Sequence, residues 1–143
     1  MGTLIESRVL VDGQAEGRAL VLEEPVSLWG GLDPVTGRIV EVGHPQQGAV
    51  VTGRILVLPS GRGSSSSATV LAEAIRLGTA PAGIVLGEVD EILAVGALAA
   101  AELYGPSVPL VVAPTGGAYG SIVEGALVRL GAGERPLELV GPD

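Results

Sequence analysis

The stretch Pro59-Ser60-Gly61-Arg62-Gly63-Ser64-Ser65-Ser66-Ser67 gathers the residues of this chain best suited to chemistry. Glycines at 61 and 63 let backbone N–H groups approach a ligand closely. Arg62 between them offers a cation with bidentate geometry for a carboxylate or phosphate. A β-prone run precedes the stretch and a helical pattern follows it. Strand-to-helix turns are where α/β proteins place ligands, because the helix start presents unpaired donors and a partial positive charge. The expectation is an anion site, with Arg62 read as a carboxylate clamp in preference to a structural ion pair.

Several familiar glycine-rich sites fail on particular residues. A P-loop requires a lysine, and all the basic residues here are arginines. A dinucleotide fingerprint wants a third glycine where Ser66 stands. A hydrolase nucleophile elbow places serine between the glycines, where Arg62 stands. Four consecutive serines also suit a flexible linker, but a linker seldom joins a buried strand to a capped helix. A serine beside an anion site can act as a base only if helix-terminal donors and the arginine stabilise its alkoxide in a closed site. An open face on so small a domain requires another protein to cover it.

The elements that would position this turn follow from periodicity. Leu4–Val11, Arg18–Leu22, Val26–Trp29 and Ile39–Val42 read as short strands, with Asp33-Pro34 and Thr36-Gly37 as a turn, and Val50–Leu58 is the clearest strand. From Ser67, Val70, Leu71, Ala74 and Ile75 make one helical stripe. A serine stands ahead of it as a candidate cap and Gly78 closes it. Ile84–Leu86 reads as a buried strand, Asp90 through Leu103 as a second helix, and Val108–Ala113 as a further strand. Ser121 to Leu130 is either helical or a turn plus a strand at Ala126–Leu130, its glycine and β-branched content leaning to the latter. Leu137–Val140 would be the last strand. The order predicts a mixed α/β domain, a single unit over 1–143, in which a sheet carries two main helices.

Composition narrows the function classes. The formal net charge of -8 argues against nucleic acid or an anionic membrane as partner. Cysteine is absent and histidine occurs once, which leaves no ordinary zinc or iron–sulfur ligand set and no disulfide. Without an apolar leader or an apolar run approaching ~20 residues, a cytoplasmic protein is expected. His44 and Trp29 read as structural, Trp29 as core or interface. Gly30, Gly31 and Asp33 read equally as a tight turn or as a second loop at the site.

Ser-Leu-Trp-Gly-Gly-Leu-Asp-Pro at 27–34, His44-Pro45, Gly-Arg-Gly-Ser at 61–64, Ala74-Ile75 with Gly78-Thr79-Ala80-Pro81, and Asp90-Glu91-Ile92 through Gly96-Ala97 resemble the small subunit of aconitase X. The resemblance runs in register from about Gly13 to Val112. It implies a swivelling β/β/α domain that closes over a large subunit bearing an iron centre or iron–sulfur cluster, with no cofactor held by this chain. That metal would act as a Lewis acid on the departing hydroxyl. The serine after Gly-Lys/Arg-Gly is the family's base, which places the catalytic role on Ser64. Arg62, Gly63, Ser65 and Ser66 are then the expected contacts to a small hydroxy-acid substrate. The family includes dehydratases of cis-3-hydroxy-L-proline and of (R)-5-phosphomevalonate. Ser-Ser-Ser followed by Val-Leu-Ala-Glu-Ala-Ile resembles the former branch; an assembly module without activity is the competing reading.

Overall fold

The computed structural model describes residues 3–61, 65–114, 118–131 and 136–140. In chain order its elements are β1 (Thr3–Leu4), β2 (Arg8–Val11), β3 (Ala15–Val21), α1 (Leu28–Gly31), β4 (Leu32–Asp33), β5 (Arg38–Ile39) and β6 (Ile55–Leu58). These are followed by α2 (Ser66–Leu77), β7 (Gly83–Leu86), α3 (Glu91–Tyr104), β8 (Leu110–Val112), β9 (Leu127–Leu130) and β10 (Leu137–Leu139), with a 3-10 turn at Ala118–Ser121 between β8 and β9. Among the described residues the main sheet has the order β1-β10-β9-β3-β6-β7-β8-β2.

The centre of that sheet is parallel. β3 pairs with β6, β6 with β7 and β7 with β8, with α2 and α3 as the last two crossovers. Every residue of β6 and β7 is buried, as continuous apolar strands covered on both faces must be. Alternate side chains serve opposite layers. Leu56, Leu58, Ile84, Leu86 and Leu110 pack towards Val70, Leu71, Ile75, Leu93 and Ala97 of the helices. Ile55, Val57, Val85 and Val111 pack on the other side with Ile5, Val128, Leu130 and Leu137. Those last residues come from the antiparallel part β1-β10-β9, which β3 joins to the centre. Its Ala15–Arg18 half pairs with β9 and its Ala19–Val21 half with β6. The sheet thus curls over its own second face, and the layers are β, β and α, as expected from sequence.

Local chemistry accounts for both helices. α2 buries Val70, Leu71, Ala74 and Ile75, the stripe read from the sequence, and stops at Gly78 in the left-handed region. α3 starts at Asp90, whose Oδ1 accepts from Leu93 N at 3.0 Å. The two helices cross where Gly96 faces the backbone of Ala68. A Cβ at 96 would stand 2.6 Å from the Ala68 carbonyl oxygen.

Several expected strands differ. The run Leu4–Val11 divides: β1 pairs with β10 and β2 with β8, at opposite edges of the sheet. Ile5 enters one core layer and Val11 the other, so one extended strand cannot serve both. Val26–Trp29 is not a strand. Only Val26 makes a bridge, to Gly61, after which Leu28 plugs the core and the chain turns at Trp29 and Gly30, whose backbone angles are not helical. Ile39–Val42 reduces to β5, paired with β4. Val50–Leu58 reduces to β6, because Thr52 and Gly53 make a turn that reverses the chain into it. The serine expected to cap α2 makes no cap bond: Ser65 stands at the N-cap in helical φ/ψ without one. The tail resolves as a turn followed by strand β9.

Candidate functional site

The parallel strands β3, β6, β7 and β8 all end on one side of the molecule, and the turn that follows β6 leaves from there. Arg62, Gly63 and Ser64 lie outside the described residues; the frame around them does not. Gly61 ends the approach by bridging in parallel to Val26. On the far side, Ser67 is buried and its Oγ accepts from the backbone N–H of Trp29 at 3.3 Å. The segment 26–29 therefore holds both ends of the turn, one by a backbone bridge and one by a side chain. Asp90 Oδ2 also stands beside Gly61, in the space that a side chain at 61 would need. One carboxylate thus caps α3 with one oxygen and sets the wall of the turn with the other.

Ser65 and Ser66 sit at the mouth of α2, Ser65 exposed and Ser66 half-buried. The first turn of α2 carries no acidic side chain, so the partial positive charge at its start is not neutralised within the helix. A groove of about 280 Å³ runs from Ser65 and Ala68 to Glu91, Ile92 and Val95, between the first turns of the two helices. Trp29 lies beside this end of α2 with 60% of its surface exposed. Of the two readings of Trp29, core or interface, the core reading does not hold; with Val26 and Leu28 buried, position 29 falls on the outward side.

The remaining candidates separate cleanly. His44 is buried, with Nε2 at 3.0 Å from the Glu24 carbonyl and Nδ1 accepting from Gln46 N. Both ring nitrogens serve the backbone, which makes it structural as expected. Asp33 forms the β4–β5 turn, accepting from Val35 N and Thr36 Oγ1. That selects the turn reading of Asp33, whereas Gly30, at φ 79, does stand in the loop next to α2. Arg18, Arg38, Arg54, Arg76 and Arg129 are each bonded to carbonyls or carboxylates of the protein itself. Among the described residues no group of three or more His, Cys, Asp or Glu side chains is placed to hold a metal ion. With no cysteine in the chain, the residues present do not fit an iron–sulfur cluster. No helix among the described residues is long and apolar enough to cross a membrane. What the described frame can do is offer the unpaired backbone donors at the start of α2 to an anion.

Comparison with known proteins bears on the fold and the family. The family model of the aconitase X swivel domain matches residues 4–139. A cis-3-hydroxy-L-proline dehydratase of Pseudomonas aeruginosa is 47% identical over 107 residues, covering 75% of this chain but only 18% of that protein. The chain therefore spans less than a fifth of the length of that relative. A phosphomevalonate dehydratase small subunit of Methanosarcina acetivorans is 33% identical over 96% of this chain and 92% of its own. The crystal structure of aconitase X from Thermococcus kodakaraensis, in its holo form, superposes with a TM-score of 0.85 at 29% identity. It covers 98% of this chain and 99% of that one.

Proposed function

The chain belongs to the aconitase X swivel-domain family, and from that premise we propose that it is the serine-bearing part of a dehydratase acting on a 3-hydroxy acid. In this reading Ser64 is the base. Its alkoxide removes the proton on the carbon next to the substrate carboxylate. The carboxylate is held by Arg62 and by the backbone donors of Gly63, Ser65 and Ser66 at the start of α2. The electrons of the broken C–H bond form the new double bond as hydroxide departs from the neighbouring carbon. The residues of this chain do not fit the family's iron centre, so the departure of hydroxide belongs to a large aconitase X-type polypeptide that also closes the site. A heterodimer in the cytoplasm is part of the same reading, which the acidic, cysteine-free composition suits.

The observation that carries the proposal is the bracing of the turn 61–67. A bridge at Gly61 and the Ser67–Trp29 bond hold both ends of the short segment the family reading makes catalytic, with Asp90 packed beside Gly61. Of the two substrates named for relatives, we favour cis-3-hydroxy-L-proline. Its one carboxylate asks for one cation, and Arg62 is the arginine of the turn. A phosphorylated acid asks for more; Arg18, Arg38, Arg54, Arg76 and Arg129 are engaged elsewhere, which leaves exposed Arg8, opposite Val112 at the end of β8, as the described arginine that could supply it. The second reading, (R)-5-phosphomevalonate, draws on the near full-length match to the archaeal small subunit. Assay of the chain with its large polypeptide and iron on both acids decides between them. Turnover of phosphomevalonate alone would select the second reading, and turnover of either acid by this chain alone would overturn the two-part enzyme.

A further inference from the structure

Trp29 has no structural reason to be where it is. The chain holds a single tryptophan and no phenylalanine. An apolar core short of aromatic side chains would gain from burying the one large ring available. Instead Val26 and Leu28 are 2% and 3% exposed while Trp29, next in line, is 60% exposed. Its backbone is well held: its N–H donates to the buried Ser67 hydroxyl, and Gly30 beyond it takes φ 79 so that the chain can leave at once towards β4. An anchored backbone under an exposed indole, beside the serine turn, is the arrangement of a recognition side chain.

We infer that Trp29 is a specificity-determining residue of the substrate site, its indole forming the wall against which the ring of a cyclic secondary amino acid lies. The inference rests on reading 61–67 as the catalytic turn. Such a substrate carries a carboxylate and an ammonium. The start of α2 suits the first, and an indole face suits a ring bearing the second by cation–π attraction and apolar contact. The chain's negative charge favours the approach of that cationic end as well. A phosphorylated acyclic acid gains little from an indole, so Trp29 would discriminate between the two substrate chemistries.

The single tryptophan makes the test direct. The chain is labelled with 5-fluorotryptophan, carries Ser64→Ala to prevent turnover, and is assembled with its unlabelled large polypeptide. The fluorine resonance is then read on adding cis-3-hydroxy-L-proline or 5-phosphomevalonate. The inference predicts a saturable shift with the cyclic amino acid and none with the phosphorylated acid. In the active assembly, Trp29→Ala should raise KM for the amino acid about ten- to hundredfold with a much smaller change in kcat, and Trp29→Phe should recover most of it. A resonance that moves on assembly and then responds to neither acid would make Trp29 an interface residue and overturn the inference, even if the assembly is active. An assembly that dehydrates neither acid would instead count against the proposed function, and the fluorine shift still reports whether the indole meets the amino acid.

Discussion

Asp90 and Tyr119 show how much a single side chain can decide here. Asp90 divides its carboxylate between the first turn of α3 and the wall behind Gly61. Asp90→Ala removes the cap and should cost about 1 kcal/mol in urea denaturation. It should also lower kcat in the assembled enzyme, because the turn loses its lateral wall. Asp90→Asn, which keeps an oxygen for the cap, should restore most of the stability. Equal losses in both variants would mean that the carboxylate charge, and not the cap, matters. Tyr119 presents the opposite case, a buried hydroxyl without a hydrogen-bond partner among the described residues. Burial pushes its pKa from 10.0 up to about 12. The folded state therefore keeps the proton where the unfolded state releases it. This contribution to stability is complete below pH 10 and is lost as the pH rises towards 12. Tyr119→Phe should be neutral or slightly stabilising at pH 7, since it removes an unsatisfied group. It should also flatten the loss of stability above pH 10 in alkaline denaturation. A clear destabilisation at pH 7 would show that the hydroxyl has a bonding partner.

Elements were legible where one period dominates. The stripe of α2, Val70, Leu71, Ala74 and Ile75, is buried as its spacing demands, and the Asp90 start of α3 is a cap in fact. Elements were misread where a β-prone run serves two layers or ends in a turn. Leu4–Val11 divides because Ile5 and Val11 belong to different cores, a long-range fact that no local window contains. Val26–Trp29 looks extended and its backbone partly is, but with Leu28 buried and Trp29 tethered to Ser67 the chain turns away at Gly30 before a strand can form. The family motif marked the turn itself, at 61–64. Its braces were not legible, because Val26, Ser67 and Asp90 converge from three separate stretches of the chain. The crossing of α2 and α3 depends on Gly96, where even a methyl group meets the Ala68 backbone. Gly96→Ala should improve helix propensity yet destabilise the domain, by about 1–3 kcal/mol from overpacking. A gain in melting temperature would show that the helices can separate without loss.

At the scale of the whole molecule, the curled sheet and its helices place Gly61 and the start of α2 at the ends of the parallel strands. Among the described residues no group of three or more His, Cys, Asp or Glu is placed to hold a metal ion, and Ser65 at the mouth of α2 is exposed. Under the proposed function such a chain does half of a chemical step and leaves the other half to the polypeptide that covers it. The half assigned to this chain is removal of a proton by Ser64. The most direct test is exchange of the hydrogen next to the substrate carboxylate with deuterium from solvent. It would be followed by mass spectrometry in the assembled enzyme, with and without Ser64→Ala. The account predicts dehydration and exchange in the unmodified assembly, and loss of both by several orders of magnitude in Ser64→Ala, with substrate still bound. Exchange that persists in the variant would place the base elsewhere and contradict the account.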